Sequence, residues 1–276
     1  MIVIAGSEAD MTALERSYPP GSTEARVLRK MAQSEARYSY ASAEQLRFEL
    51  LLRKQTVTVA EMLNRSGLGF EVFHKSKCNE EYWNRVPNGG FLLKAGVLAS
   101  GAINDIFTNG RKYATECATA MVIVYFKALL NVFGTSLFNR LFRSIYLMNW
   151  HSLDPLLREI GVPKPVTDIL PGDRAYIKNP DVDPKTPELQ GENVIVLSDN
   201  LYYGHGVGIT TSERIIRFLN QNRFRGATRS AYMLDSVSRP NYKKLEEIYK
   251  SRTQEEIQER ASGAQARSGG TFPATI

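Results

Sequence analysis

The sequence predicts an α+β fold, because helical and strand-like patterns occupy different parts of the chain. Apolar residues recur at helical spacing after residue 42 and again after residue 116, whereas two β-prone runs, residues 193–197 and 201–203, flank a short turn. Helices and hairpins that are segregated along the chain are typical of this class. The chain has 276 residues, of which 43% are hydrophobic, and can therefore bury a substantial core.

The first two helices are predicted from capping signals and periodicity. Ser42 and Gln45 fit a capping box, so a helix is expected from there to about Asn64. Residues 116–132 are strongly apolar with helical spacing, and Gly134 is expected to close this segment.

Later elements follow from similar signals. A helix is expected from about Ser136, and Thr210 with Glu213 predicts a capped helix that ends near Gly226. Residues 161–191 are rich in proline, so a long connection without a helix is expected there.

The C-terminal part of the chain sets the expected domain organisation. Residues 242–260 predict a charged helix with a thin apolar face, and residues 261–276, rich in Ala, Ser and Gly, predict a disordered tail. We therefore expect one domain over residues 1–250, followed over 251–276 by the charged end of that helix and the tail.

Composition excludes several classes of protein. Two Cys cannot staple a chain of this length, so we expect no disulfide scaffold, and Cys78 and Cys117 lack CxxC spacing, so we expect no zinc site. We expect no other metal and no cofactor. The longest apolar run, residues 118–126, is interrupted by Lys127 and is too short for a membrane span. Residues 1–6 lack a signal-peptide pattern, which predicts a soluble protein made in the cytoplasm.

The protein is basic, with a net charge of +6, which is compatible with anionic partners but does not indicate which kind. A group of arginines surrounds the helix predicted after residue 210. No recognised nucleic-acid module accompanies them, so we interpret them as a solvated face and expect no nucleic-acid partner. They are Arg214, Arg217, Arg223, Arg225 and Arg229.

Cys117 is the strongest candidate for chemistry. It lies where a polar stretch turns into an apolar helix, and a helix N-terminus stabilises thiolate and offers N–H groups to an oxyanion. The alternative is a small buried apolar residue, the commoner role of a lone Cys. The neighbouring Glu116 is either an acid favoured by the helix dipole or a carboxylate that raises the thiol pKa.

The predicted hairpin makes Glu192 and His205 possible partners. With a two-residue turn, Glu192 faces Val207 and His205 is a diagonal neighbour on the same face. With a three-residue turn, the two side chains lie on opposite faces. Otherwise Glu192 is a surface carboxylate and His205 a satisfied polar residue. If Glu116 and Glu192 both approach Cys117, at least one carries a proton near neutral pH.

Five stretches, in this order, carry a family resemblance. They are Tyr-Ala-Thr-Glu-Cys-Ala-Thr-Ala-Met-Val-Ile-Val at 113–124, Asn-Trp-His at 149–151, Lys-Asn-Pro at 178–180, Gly-Glu-Asn-Val-Ile-Val-Leu at 191–197 and Gly-His-Gly-Val-Gly-Ile at 204–209. Together they resemble the bacillary spore-coat protein-glutamine gamma-glutamyltransferases, from about Tyr38 to Tyr249. Each motif is weak alone, but five in order are specific.

The resemblance implies a papain-like or NlpC/P60-like core, with a catalytic Cys at a helix N-terminus packed on a small antiparallel sheet. It implies a calcium-independent enzyme that joins glutamine to lysine side chains by isopeptide bonds and releases ammonia. Carried over by motif, Cys117 is the nucleophile and Glu192 its main partner. Glu116 is a partly redundant partner, and His205 lies near the site.

The resemblance further implies that Phe70 and Trp150 line a tunnel to the thiol. The implied partners are proteins that carry glutamine and lysine, in particular spore-coat proteins, and the implied location is the spore coat after synthesis in the mother cell. Three departures stand out. The first forty residues look unlike the family, Leu189 stands where an aromatic residue is expected, and the chain beyond about Lys250 is additional.

Two other functions stay open from the residues themselves. One is a papain-like or NlpC/P60-like cysteine hydrolase, an amidase or peptidase, with Cys117 and His205 as its dyad. The other is a basic binding protein without enzymatic activity, whose binding would weaken steeply with salt.

Overall fold

A computed structural model describes residues 1–150 and 152–251. The predictions for the end of the charged helix and for the tail lie outside these ranges. The helices are α1 (Met11–Arg16), α2 (Thr23–Gln33), α3 (Ala43–Arg65), α4 (Ala99–Thr108), α5 (Cys117–Leu141), α6 (Ser212–Gln221) and α7 (residues 242–251).

The strands form several small sheets. They are β1 (Ile2–Ile4), β2 (Ser7–Glu8), β3 (Tyr38–Tyr40), β4 (Gly69–Phe70), β5 (Trp83–Arg85), β6 (Phe91–Leu93), β7 (Ala114–Thr115), β8 (Tyr146–Leu147), β9 (Lys164–Pro165), β10 (Arg174–Lys178), β11 (Gly191–Ser198), β12 (Leu201–Gly204), β13 (Gly208–Thr210) and β14 (Tyr232–Ser238). The largest sheet is antiparallel, in the order β13-β12-β11-β10-β14-β9. The mixture of helices and antiparallel strands confirms the predicted α+β class.

Helix α5 is the central element of the core. It packs against α3 and β11, and Leu63, Val124 and Ile195, one from each element, are almost fully buried in the same cluster. Its most apolar 18-residue window has a mean hydropathy of 1.7, which by length and composition would suffice to cross a membrane. However, 78% of that window is buried among the described residues, as expected for the core helix of a globular fold.

Gly134 divides α5 into two helical segments. Its φ of 74° and ψ of 164° are non-helical, so the helix kinks there before continuing to Leu141. A side chain at this backbone conformation is strained, and glycine avoids that strain because it has no Cβ. The predicted closure at Gly134 and the new helical segment after it are confirmed.

The N-terminal segment packs onto α3. Strand β1 pairs with β2 and lies parallel to β3, and Ile2, Leu28 and Leu50 share a second buried cluster. Helix α3 begins after Ser42 as predicted, because the Ser42 hydroxyl accepts a hydrogen bond from the Gln45 N–H at 3.3 Å.

A β-bulge changes the register of the hairpin between β11 and β12. Ser198 pairs with Leu201 across the predicted two-residue turn, but the register shifts after this pair and Val194 then pairs with Gly204. The extra residue moves all later positions by one, so Glu192 and His205 fall on opposite faces. The two-residue turn is present, but the shifted register is the one expected of a three-residue turn, so of the two alternatives left open the same-face arrangement does not hold.

The predicted bounds of α6 also need correction. The residue before its first turn is Thr211, not Thr210, and its side chain makes no capping hydrogen bond. The helix ends at Gln221 rather than near Gly226. Residues 161–191 contain β9, β10 and short 3₁₀ turns but no α-helix, as the prolines predicted.

We expect Gly134→Ala to destabilise the protein by about 1–3 kcal/mol, because alanine at this φ and ψ forces a Cβ into an unfavourable conformation. Thermal unfolding would measure the loss. Gly101→Ala in α4 is the matched control, since an added Cβ there meets its nearest neighbour, Tyr82, at an ordinary 3.7 Å. Equal effects of the two substitutions would contradict the prediction.

Candidate active site

Cys117 is the first residue of α5 and lines a cavity of about 540 Å³. Its position follows from the order of the elements. Strand β7 ends just before α5, and the apolar side chains of α5 pack against β11. The cavity wall comes from several elements, and its members include Phe70, Glu116, Cys117, Trp150, Arg174, Tyr176, Glu188, Gln190 and Asn193.

Glu116 caps α5. One of its carboxylate oxygens accepts from the N–H of Ala118, and the other accepts from the N–H of Thr119 at 2.8 Å and from the Thr119 hydroxyl. The Thr119 hydroxyl in turn accepts from the Asn149 N–H at 2.9 Å. Glu116 therefore acts as the N-cap of α5, and its carboxylate belongs to the residue directly before Cys117.

Glu192 is buried near the start of β11, with 4% of its surface exposed. Its Oε1 atom has no hydrogen-bond partner among the described residues. Gly204 leaves the space that this carboxyl occupies, because an added Cβ there would lie 2.8 Å from Glu192 Oε1. A buried carboxyl with a free oxygen is available to hold or transfer a proton.

Burial and like charge govern the titration of these groups. Burial, and then the Glu116 charge, raise the pKa of Glu192 well above its usual range, and burial also raises the pKa of Glu116. Burial, and then the charges of Glu192 and Glu116, raise the pKa of the Cys117 thiol to about 12. The three groups therefore compete to remain protonated, and a proton that leaves the thiol has a carboxylate nearby to receive it.

Two further residues beside the thiol, Asn193 and Arg174, were not predicted from the sequence. Asn193 Nδ2 donates to Cys117 Sγ at 3.4 Å, and Arg174 Nη1 donates to Asn193 Oδ1 at 2.8 Å. Asn193 follows Glu192 directly in the motif at 191–197, and this adjacency is the signal in the sequence that points to it. Arg174 had no such signal, because its proximity depends on the pairing of β10 with β11.

His205 bonds to groups other than Cys117. Its Nε2 lies 3.0 Å from the Gly69 carbonyl oxygen, and its Nδ1 lies 3.3 Å from the Tyr203 hydroxyl. The carbonyl requires a proton on Nε2, so the neutral imidazole accepts from Tyr203 through Nδ1. Burial lowers the pKa of His205, which favours this neutral form. Both ring nitrogens are thus engaged.

The two predicted tunnel residues both line the cavity that contains Cys117. The Phe70 ring lies 5.9 Å from the His205 ring, and Trp150 lies 4.3 Å from the Arg174 guanidinium carbon. Leu189, where an aromatic was expected, packs instead in a hydrophobic cluster with Val166 and neighbours.

The described residues contain no group of His, Cys, Asp and Glu side chains that could hold a metal ion. The second thiol, Cys78, is only partly buried, yet burial raises its pKa to about 11. The pKa does not separate Cys78 from Cys117, but Cys78 is not among the described residues that line the cavity.

A thiol at a helix N-terminus, inside a cavity and beside two buried carboxyl groups, defines a site of the cysteine acyl-transfer class. Comparisons with known proteins specify it further. A family model described as protein-glutamine gamma-glutamyltransferase matches residues 1–249. The chain is 43% identical over 239 residues to proteins of that name from Bacillus mycoides (strain KBAB4) and Bacillus cereus (strain G9842), covering 87% of this chain and 86% of theirs.

A solved transglutaminase from Geobacillus stearothermophilus, without its C-terminal extension, superposes with a TM-score of 0.71 at 47% identity and covers 75% of this chain and 98% of that chain. This chain therefore belongs to the protein-glutamine gamma-glutamyltransferase family. The family model begins at residue 1, so the expectation that the first forty residues depart from the family is wrong.

We expect Glu192→Gln to stabilise the protein at neutral pH by about 1 kcal/mol, or roughly 2–4 °C in Tm. The pKa of Glu192 is raised in the folded state, so the folded state binds its proton more tightly and stability falls as pH rises through that pKa. Glutamine carries no such penalty.

Thermal unfolding as a function of pH would measure this gain. Below the ordinary glutamate pKa of about 4.3 both side chains are neutral, so the difference between the two proteins should shrink there. A gain that is equally large in acid, or a loss at neutral pH, would contradict the prediction.

Proposed function

We propose that this chain is a calcium-independent transglutaminase that cross-links proteins through a thioester on Cys117. Its family membership supports the reaction class, and one observation supports the mechanism: the Cys117 thiol shares its cavity with Glu116, within the electrostatic reach of both Glu116 and Glu192. We further propose a papain-like core, with Cys117 at a helix N-terminus against an antiparallel sheet.

In the acylation step, the Glu192 carboxylate accepts the thiol proton, and the Cys117 thiolate attacks the γ-carboxamide carbon of a glutamine side chain. The Ala118 and Thr119 N–H groups are already used by Glu116, so the N–H of Cys117 is the helix donor for the oxyanion. The C–N bond breaks as protonated Glu192 gives its proton to the leaving nitrogen. Ammonia departs and a thioester remains.

In the second step, a lysine amine enters and attacks the thioester carbon. Because the reference lysine pKa is about 10.4, the ammonium group must first release one proton to solvent to become a nucleophile. As the neutral amine adds and the C–S bond breaks, the Glu192 carboxylate accepts the second proton from the nitrogen and returns it to the departing Cys117 thiolate, and an isopeptide bond forms. Glu116 supports this chemistry through its charge and as the cap that fixes α5, which fits a smaller, partly redundant role.

Transfer to an amine requires that water be kept from the thioester. Phe70 and Trp150 would restrict access as apolar walls beside Cys117. Glu188, which is exposed and lines the same cavity, would attract a lysine ammonium group. These features favour lysine as the acceptor.

The hydrolase alternative depends on a Cys117–His205 dyad. His205 donates from Nε2 to the Gly69 carbonyl and accepts from the Tyr203 hydroxyl at Nδ1, so both ring nitrogens are engaged, which argues against His205 as the base for Cys117. We therefore propose that His205 holds β4, and with it Phe70, in place beside the cavity.

The substrates that we propose are spore-coat proteins that carry accessible glutamine and lysine side chains. We also propose that the enzyme acts at the spore coat after synthesis in the mother cell, without a resident metal or other cofactor. The family resemblance supports these assignments, and the Bacillus origin of the relatives is consistent with them.

We expect this protein to attach a labelled primary amine to the glutamines of a donor protein in the presence of a calcium chelator, with loss of ammonia, and Cys117→Ala to abolish the reaction. Mass spectrometry would detect the product. Conversion of glutamine to glutamate without amine uptake would establish the hydrolase instead. A Cys117-independent, salt-sensitive association would favour the binding protein.

In the same assay, Glu192→Ala should lose most turnover and Glu116→Ala less. The matched Glu192→Gln and Glu116→Gln variants keep the size of each side chain and separate loss of charge from loss of packing. Undiminished rates in both alanine variants would contradict a role for the carboxyl groups.

The acid limb of the kcat/KM profile should lie above the ordinary glutamate pKa of about 4.3. The reason is that protonated Glu192 cannot accept the thiol proton, and the pKa of Glu192 is raised. Activity should therefore rise with pH as Glu192 ionises. A limb at the ordinary glutamate value, in a protein that remains folded, would contradict this assignment.

A further inference from the structure

Arg174 is a buried cation in the cavity wall, with 5% of its surface exposed. Among the residues that the structure describes, its hydrogen-bond partners are Ile160, Asn193 and Ser238, and no carboxylate forms an ion pair with it. Burying a guanidinium without an ion pair costs free energy, so other interactions of the folded protein must offset that cost. Burial accordingly lowers the pKa of Arg174, although an arginine keeps its charge at neutral pH.

The guanidinium is fixed in orientation on every side. Its Nε donates to the Ile160 carbonyl at 2.9 Å, and its Nη2 donates to the Ser238 hydroxyl at 2.5 Å. The Trp150 ring stacks over its face with 4.3 Å between guanidinium carbon and ring centroid. The remaining Nη1 donor points at Asn193 Oδ1 at 2.8 Å.

This geometry decides which end of the Asn193 amide faces the sulfur. If the amide were flipped, its NH₂ group would meet the guanidinium donor, and two donors repel each other. The oxygen must therefore face Arg174, which leaves Nδ2 to donate to Cys117 Sγ at 3.4 Å. Asn193 is itself buried and so cannot turn toward solvent.

We propose that Arg174 is a positioning residue, which locks the Asn193 amide so that its N–H donor stabilises the Cys117 thiolate. The guanidinium acts through the amide and does not itself touch the sulfur. This inference rests on the proposed role of Cys117 as the nucleophile, and it deepens that role.

The other charged and titratable groups near the thiol make this donor necessary. Glu116 from the start of α5 and Glu192 from β11 both oppose the thiolate, and Tyr176 on β10 also interacts electrostatically with it. Against these groups, an N–H donor held toward the sulfur favours the charged form, because hydrogen bonds to an ion are stronger than those to a neutral thiol.

The test is the alkylation of Cys117 by iodoacetamide, followed by peptide mass spectrometry as a function of pH. The reagent carries no charge and needs only the thiolate, so the rate does not depend on glutamine or lysine binding. The peptide with Cys78 is an internal reference, because that thiol has its own surroundings and a pKa of about 11.

We expect Arg174→Met and Asn193→Leu each to lower the alkylation rate at neutral pH by about tenfold, which corresponds to a rise of about one unit in thiol pKa. The double variant should react no more slowly than Asn193→Leu alone, because both substitutions remove the same hydrogen bond. Arg223→Met is the control, because Arg223 also donates to carbonyl oxygens, those of Asn220 and Arg229. In this variant Cys117 should be alkylated at the wild-type rate.

Three results would overturn the proposal. The first is an unchanged alkylation rate in Arg174→Met. The second is that Arg174→Met lowers the rate as much in the Asn193→Leu background as in the wild type, which would mean that the Arg174 charge or its contact with Trp150 acts without the amide. If Arg174→Met does not fold, Asn193→Asp replaces it, since this near-isosteric residue offers only oxygens to the sulfur. A rate as high as wild type in Asn193→Asp would contradict the proposal.

Amine incorporation measured on the same variants separates this inference from the proposed function. If Cys117 is alkylated faster in the wild type than in the single variants and the effects of Arg174→Met and Asn193→Leu are non-additive, but no amine is incorporated into any donor protein, the positioning role stands and the transferase proposal fails. If amine is incorporated while the Arg174 and Asn193 variants react as the wild type does, the transferase stands and the positioning role fails.

Discussion

The packing of α5 against β11 is the constraint on which the site depends. The apolar side chains of α5 must be buried, and the sheet offers the surface that buries them, with Val124 and Ile195 in one cluster. Once this contact forms, the start of α5 can lie only beside the start of β11. That placement brings Cys117 next to Asn193 and within reach of the Glu192 charge. The contact that forms the core therefore also places the groups of the site.

The site brings buried acidic groups together, and its chemistry follows from the cost of charging them. Burial raises the pKa values of the thiol and of both carboxyl groups, so the site holds protons more tightly than the same groups do in water. A proton removed from Cys117 then has a nearby carboxyl that binds it readily and can return it. Glu116 also caps the helix, so one side chain links the stability of α5 to the charge beside its first residue.

Much of the fold was predictable from local patterns, because these depend on neighbours in the chain. The cap at Ser42, the break at Gly134 and the two-residue turn before Leu201 appear where the sequence placed them. The prediction failed where one residue decides a register. The bulge after Ser198 is not visible in the alternation of apolar residues, yet it separates Glu192 from His205.

The sequence by itself determined that Cys117 stands at the start of an apolar helix beside Glu116, and the family resemblance of its motifs pointed to Glu192 as a candidate partner of the thiol. Those assignments depend on adjacency and on ordered motifs, both of which can be read along the chain. Only the tertiary structure decided that Arg174 and Asn193 complete the surroundings of the thiol, because the pairing of β10 with β11 joins positions that are distant in sequence. Hydrogen bonds between side chains on different strands depend on register and twist, which no local pattern specifies.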